Sequence, residues 1–329
     1  MFRRVLSLAL TLSCAVPASA ATPPPAPKPL TIAARNDYLN PAFTVPLGAG
    51  LRAFYERDFG AARRGFEAAL AVVPDNTLAL SLLNAAAAQK PADLTALIDA
   101  EEDALAKNPK SAPAHVRLAF SYMFASLTGR DRNLDAREEL NLAVGLDPLS
   151  QSAHTGLGIM REGERSTNRA KTEFVAALAV DPQNVLAREY LALIYQEDLK
   201  DPQRALTTVI DIPNLVPDYA DIYFHIASML HDLKQYDAAV TYAMRGLTAD
   251  VGGVGESGQH GYTLLARIYL DDKRPDEARR VLKASITAGT DVAFANTLLK
   301  KIDNGDYGKA PSSAAPSPSG SPAPKKKKK

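Results

Sequence analysis

The stretch that comes nearest to a phosphate cradle is Gly253-Val254-Gly255-Glu256-Ser257-Gly258. Its glycine spacing suits a loop whose backbone N–H groups wrap phosphate, but such a loop continues into a lysine and a hydroxyl. Gln259 and His260 stand there instead, and the preceding residues read as a helix end rather than a strand. Ser257 fails as a nucleophile for a related reason, because Gln259 breaks the G-x-S-x-G elbow. The stretch reads as a connector.

The five histidines are His115, His154, His225, His231 and His260. None forms the i, i+4 pair with a glutamate that marks a zinc helix. The nearest metal set is His231 and His260 with Asp232 or Asp271, and it lacks a ligand spacing. Glu101-Glu102-Asp103 and Glu138-Glu139 read as solvated helix faces. Asp131–Glu139 lacks the alternating oxygen ligands and central glycine of a calcium loop. The residues therefore predict no enzyme, no metal and no cofactor.

The ends carry a different message. Arg3 and Arg4, the apolar run 5–16 and Ala18-Ser19-Ala20 resemble a bacterial export signal, cleaved after Ala20. This predicts a periplasmic or secreted protein. Leu12-Ser13-Cys14 loosely resembles a lipoprotein box, but Thr11 stands where leucine is usual and the Ala-Ser-Ala site competes. Cys14 is the only cysteine, so cleavage leaves no thiol and no disulfide. Residues 21–42 are a proline-rich spacer and N-terminal segment. Residues 303–329 are rich in Pro, Ser and Ala and end in Lys325, Lys326, Lys327, Lys328 and Lys329, a composition that predicts disorder. The formal net charge is +1. Setting aside the signal arginines and the lysine tail leaves an acidic body, unlike the basic face of a nucleic-acid binder.

Between these ends, over 43–302, one pattern returns. Pro74, Pro109, Pro148, Pro182 and Pro217 follow one another at gaps of 35, 39, 34 and 35 residues. In the clearest unit Leu157-Gly158 precedes Ala170, Phe174, Ala177 and Asp181-Pro182. The first unit repeats this with Gly50, Ala62, Phe66, Ala69 and Pro74. The small residues let two helices approach, and the phenylalanine fills the gap toward the next unit. Residues 77–109 depart from the pattern, with Glu101 where an aromatic is expected. Residues 112–148 carry extra residues near Thr128–Asn133.

A period near 34 with a large–small pair and a closing proline resembles the tetratricopeptide-repeat family. The resemblance implies an all-α, right-handed α-solenoid of about seven helix-turn-helix units, with Asp291–Ile302 as a C-terminal capping helix. It also implies a concave groove lined by the first helix of each unit. Mapped onto this chain, the apolar half of the groove is Leu47, Leu51, Phe54, Leu82, Val116, Phe120 and Met123. The acidic half includes Glu189, Asp221, His231, Asp232 and Asp271, with Arg267. The groove lacks the Lys/Asn set that grips a C-terminal carboxylate. The expected function is a protein-binding scaffold in the cell envelope, in pilus, secretion or polysaccharide-export assembly. The alternative is binding of envelope glycan or anionic lipid through the lysine tail. A competing occupant of the groove is the chain's own segment Leu30–Val45.

Overall fold

The first helices of the first five repeats each begin where a short polar side chain closes the helix N-terminus. Asn40, Asn76, Ser111, Ser150 and Asn184 each accept a hydrogen bond from the backbone N–H of a residue two or three positions on, which satisfies a group the helix itself cannot. Asp58 and Asp201 do the same for second helices. Asp181 accepts from the Gln183 N–H, which turns the chain at Pro182 into the next unit. The recurrent prolines thus mark inter-repeat turns.

The computed structural model describes residues 36–251, 253 and 260–305. After a short turn at Asp37–Leu39 come α1 (Pro41–Tyr55), α2 (Phe59–Val72), α3 (Thr77–Ala87), α4 (Pro91–Lys107), α5 (Ala112–Leu127), α6 (Asn133–Leu146), α7 (Gln151–Gly163) and α8 (Thr167–Val180). The fifth unit is irregular. Its first helix α9 (Val185–Leu193) ends in a widened π turn at Ile194–Asp198, and its second is split into α10 (Pro202–Val209) and the single turn α11 (Ile212–Leu215). Pro213, one residue into that last turn, accounts for the split. Then follow α12 (Ala220–Asp232), α13 (Tyr236–Ala249), α14 (Gly261–Asp271), α15 (Pro275–Ala288) and α16 (Val292–Asp303). Consecutive helices pair into seven antiparallel hairpins stacked in series, and α16 closes the end of the stack on α15. This is an α-solenoid. Among the described residues no helix is long and apolar enough to cross a membrane.

Packing within a unit follows the small–large rule. A Cβ placed on Gly158 would lie 2.6 Å from the Phe174 ring, so glycine is what lets α7 and α8 touch. Phe174 then stacks on Tyr190 of the next unit, ring centroids 5.6 Å apart and 21° from parallel. The second unit solves the same problem with charge. Glu101 and Arg117 have the same sixteen-residue separation as Phe174 and Tyr190. The Glu101 carboxylate accepts from Arg117 Nη2 at 2.6 Å and Nε at 2.9 Å. Glu101 is 6% exposed, so the expectation of a solvated face fails there. Its neighbour Glu102 is exposed and accepts from the Tyr122 hydroxyl at 2.7 Å. Burial, then that bond, push the Tyr122 phenol up to about 12.

The extra residues of the third unit have a use as well. Arg132, in the loop before α6, lies over the Tyr122 ring at 3.8 Å.

Candidate functional site

The inner face of the solenoid is where the repeats should receive a partner, and its first helices carry the predicted groove residues. The structure corrects half of that expectation. Leu51, Phe54, Val116, Phe120 and Met123 are exposed by 7% or less, as are Leu47 and Leu82. They belong to the core rather than to an open groove. The physical reason is that the first helices of distant repeats meet across the solenoid axis. The Thr77 hydroxyl on α3 donates to the Asn184 side-chain oxygen Oδ1 at 2.9 Å, joining the second repeat to the fifth. Gln151 on α7 donates to the Asp75 backbone oxygen at 3.2 Å. Asn184 also donates to Thr155 at 2.9 Å and to Gln151, while capping its own helix.

The first repeat reaches the sixth in the same way. Tyr55, at the end of α1, accepts from the Ala220 N–H at 3.0 Å and donates to the Asp221 carboxylate at 3.2 Å. Arg52 pairs with Asp218 at 2.7 Å. Glu189, another predicted groove acid, is also buried. It accepts from the Tyr219 hydroxyl at 2.8 Å and meets His225 Nδ1 at 2.7 Å. Burial raises the Tyr55 and Tyr219 phenols well above their usual value, and the nearby carboxylates add to it. At His225 burial works against the imidazolium, but the Glu189 carboxylate outweighs it and the pKa is raised. A polar hub of tyrosines, carboxylates and one histidine therefore occupies the axis.

The other predicted residues lie at the open C-terminal rim. His231 is half-buried and pairs with Asp271 at 2.7 Å. Asp232 is exposed and accepts from Gln196, which also donates to Ser228. Arg267 is exposed and lies over the Phe294 ring at 5.0 Å. His260 pairs instead with Asp291, at 3.1 Å, so the tentative set of His231, His260 and aspartates does not converge. Among the described residues no group of three His, Cys, Asp or Glu side chains is placed to hold a metal. The phosphate-cradle look-alike falls mostly within 254–259, outside the described residues, as do Cys14, residues 1–35 and the lysine tail.

His115 and His154 have one shared structural task. Each sits six residues after a closing proline, and each ring bridges that proline's carbonyl oxygen at 3.1 Å to a glutamate on the second helix. The glutamates are Glu139 at 2.5 Å and Glu173 at 2.8 Å. Tyr223 takes the same position after Pro217 and donates to its carbonyl oxygen at 2.9 Å. The Glu173 bond raises the His154 pKa against partial burial.

Sequence reasoning missed Tyr55, Thr77, Gln151, Asn184 and Tyr219. Their signal was polarity at inner-face positions of first helices, where an open groove and an inter-repeat contact look alike.

Comparison with known proteins agrees with the architecture. A family model described as a tetratricopeptide repeat matches residues 220–250, which span α12 and α13. The human IFIT1 dimer with PPP-AAAA is 16% identical over 76% of this chain and 60% of that one, with a TM-score of 0.55. YrrB, described as a TPR protein with an unusual peptide-binding site, is 19% identical over 62% of this chain and 99% of that one (TM-score 0.47). Pseudomonas aeruginosa pilF is 16% identical over 79% and 98%, with a TM-score of 0.46. No curated protein matches the sequence significantly.

Proposed function

We propose, from the tetratricopeptide-repeat match at residues 220–250 and the α-solenoid fold, that the chain is a non-catalytic scaffold that holds a basic segment of a partner protein along the inner rim of its last three repeats. The observation that carries this is the division of the inner face. Its apolar residues are used up in the core, while Glu197, Asp232, Asp271 and Arg267 stay exposed on neighbouring first helices and the turns that end them. A rim of this kind favours a cationic segment and steers its approach, an effect weakened by salt.

Carboxylates at the axis disfavour an anionic ligand there. Glu189 and Asp221 put negative charge there, held by Tyr219 and Tyr55. The export-like start supports envelope proteins as the partners, in an assembly such as a pilus, secretion or polysaccharide-export system. Contact of Lys325–Lys329 with an anionic surface is compatible with this reading as a second point of attachment.

The test is photo-crosslinking in cells from the exposed rim positions 197 and 267, with position 244 on the outer surface as the control. Defined envelope proteins captured from the rim but not from position 244, and lost in the Asp232→Lys, Asp271→Lys double variant, are the expected result. Capture of lipid or glycan alone, or identical capture from all three positions, overturns the proposal.

A further inference from the structure

The first repeat meets the junction of the fifth and sixth along one edge, and that edge is not filled. A cleft of about 280 Å³ lies between α1 and the turn that leads from α11 into α12. Val45 and Leu47 line it from one side, Leu215, Val216 and Pro217 from the other, and Tyr38 completes it. Gly48 lets the two sides approach, because a Cβ there would come within 2.7 Å of the Asp218 carboxylate. The polar groups of the lining are already engaged. The Tyr38 hydroxyl accepts from Asn76 Nδ2 at 3.3 Å, Thr44 donates to the Asn40 backbone oxygen at 3.2 Å, and Asp218 pairs with Arg52 at 2.7 Å. What the cleft offers an occupant is therefore apolar surface, and Val45 is 65% exposed.

The described residues begin at Asn36, two positions before Tyr38. Tyr38 is held by Asn76 and by an edge-on contact with the Phe43 ring, centroids 5.6 Å apart, so the chain is anchored at the cleft itself. Residues 30–34, just upstream, read Leu-Thr-Ile-Ala-Ala, and an extended run puts Leu30, Ile32 and Ala34 on one side. Ile32 is six residues from Tyr38, a reach of up to roughly 20 Å at about 3.3 Å per residue. We propose that residues 30–34 occupy this cleft within the same chain, with Leu30 and Ile32 against Val45 and Leu215. They would form a strap across the edge where the first repeat meets the fifth and sixth. Size and chemistry select this occupant. The cleft is below the ~300–1,000 Å³ of pockets that enclose a drug-sized ligand, so it receives a few side chains rather than a folded partner. The five C-terminal lysines are excluded, since Asp218 is the one carboxylate of the lining and Arg52 holds it. A tether this short keeps its segment at an effective concentration on the order of millimolar, which a free apolar peptide would have to exceed. The strap does not rest on any rim residue, so the two readings fail separately.

Disulfide trapping tests it. Cys14 is the only cysteine, so in the Cys14→Ser chain introduced thiols report alone. Ile32→Cys is combined either with Leu215→Cys in the cleft or with Ala68→Cys, exposed on α2 and outside the lining. Disulfide formation under mild oxidation is followed by peptide mass spectrometry, with far-UV circular dichroism to check that helicity is unchanged. The 32–215 bond should form within one chain at least about tenfold faster than the 32–68 bond, as for a docked rather than a merely tethered segment. Adding Leu30→Asp should remove most of that advantage, and high salt should leave it in place, because the contact is apolar. If Leu215→Cys disturbs the fold, Val45→Cys serves as the cleft thiol. Equal rates for the two pairs, or an advantage untouched by Leu30→Asp, overturn the strap. A bond from position 32 to the cleft that forms only between two chains would assign the cleft to a second copy, and would also overturn it.

Discussion

Replacing the Glu101–Arg117 pair tests whether the irregular second repeat obeys the same packing rule as the regular ones. The two residues occupy the register of Phe174 and Tyr190, so Glu101→Phe with Arg117→Tyr should rebuild the stacked aromatic contact between the second and third repeats. The single changes should differ. The Glu101 side chain is 7% exposed and the Arg117 side chain 23%. Arg117→Tyr strands a buried carboxylate with its bidentate partner gone, and should cost about 3 kcal/mol, as for a broken buried ion pair. Glu101→Phe leaves a guanidinium that can turn to solvent or lie on the new ring, and should cost about 1–2 kcal/mol. The double variant should return to within about 1 kcal/mol of wild type, because exchanging a buried pair for apolar groups is often neutral or better. Urea titration followed by far-UV circular dichroism measures all four proteins, with the m value checked for constancy. A double variant that loses the sum of the two singles would refute the shared register, since contacting residues should couple by more than about 0.5 kcal/mol.

Three further expectations concern the repeat turns and helix pairs. Gly158→Ala drives a methyl into the Phe174 ring and should cost about 1–3 kcal/mol by overpacking, read from the urea midpoint. Arg57, Arg165, Lys200, Lys234 and Lys273 all hold positive φ between 54° and 66° at the turn inside their repeats. Lys273→Gly should therefore stabilise the last repeat by about 0.5 kcal/mol, relief of left-handed strain exceeding the added chain entropy of glycine; a lower midpoint refutes it. His154 has a raised pKa through Glu173, so its contribution to stability is fully present below the unfolded-state pKa and is lost as pH rises through the folded-state pKa. Stability measured across that window should fall more in the wild type than in His154→Gln, and an NMR titration of the His154 ring should show the upward shift directly.

The burial of Phe120 and Met123 also changes what a mutation there would mean. Aspartate at either position places a charge in the core, so lost partner binding would report unfolding rather than recognition. Exchanges on the rim, at Asp232 and Asp271, avoid this.

The sequence by itself determined the repeat: its period, its closing prolines, and the glycine–aromatic complementarity that pairs Gly158 with Phe174. Those features are local, because each needs only a neighbour within one repeat length, and helix periodicity places such residues on a shared face. The role of Glu101 was half legible, since its odd position in the repeat is visible but its partner Arg117 lies in the next repeat, where a lone arginine reads as a solvated residue. Only the tertiary structure decided whether the inner face is open. That depends on how far the solenoid turns between repeats, a small rotation summed over five units, and no residue pattern within one unit records the sum. At the curvature observed, Thr77 meets Asn184 and Tyr55 meets Asp221. The same side chains on a wider superhelix would line an empty groove.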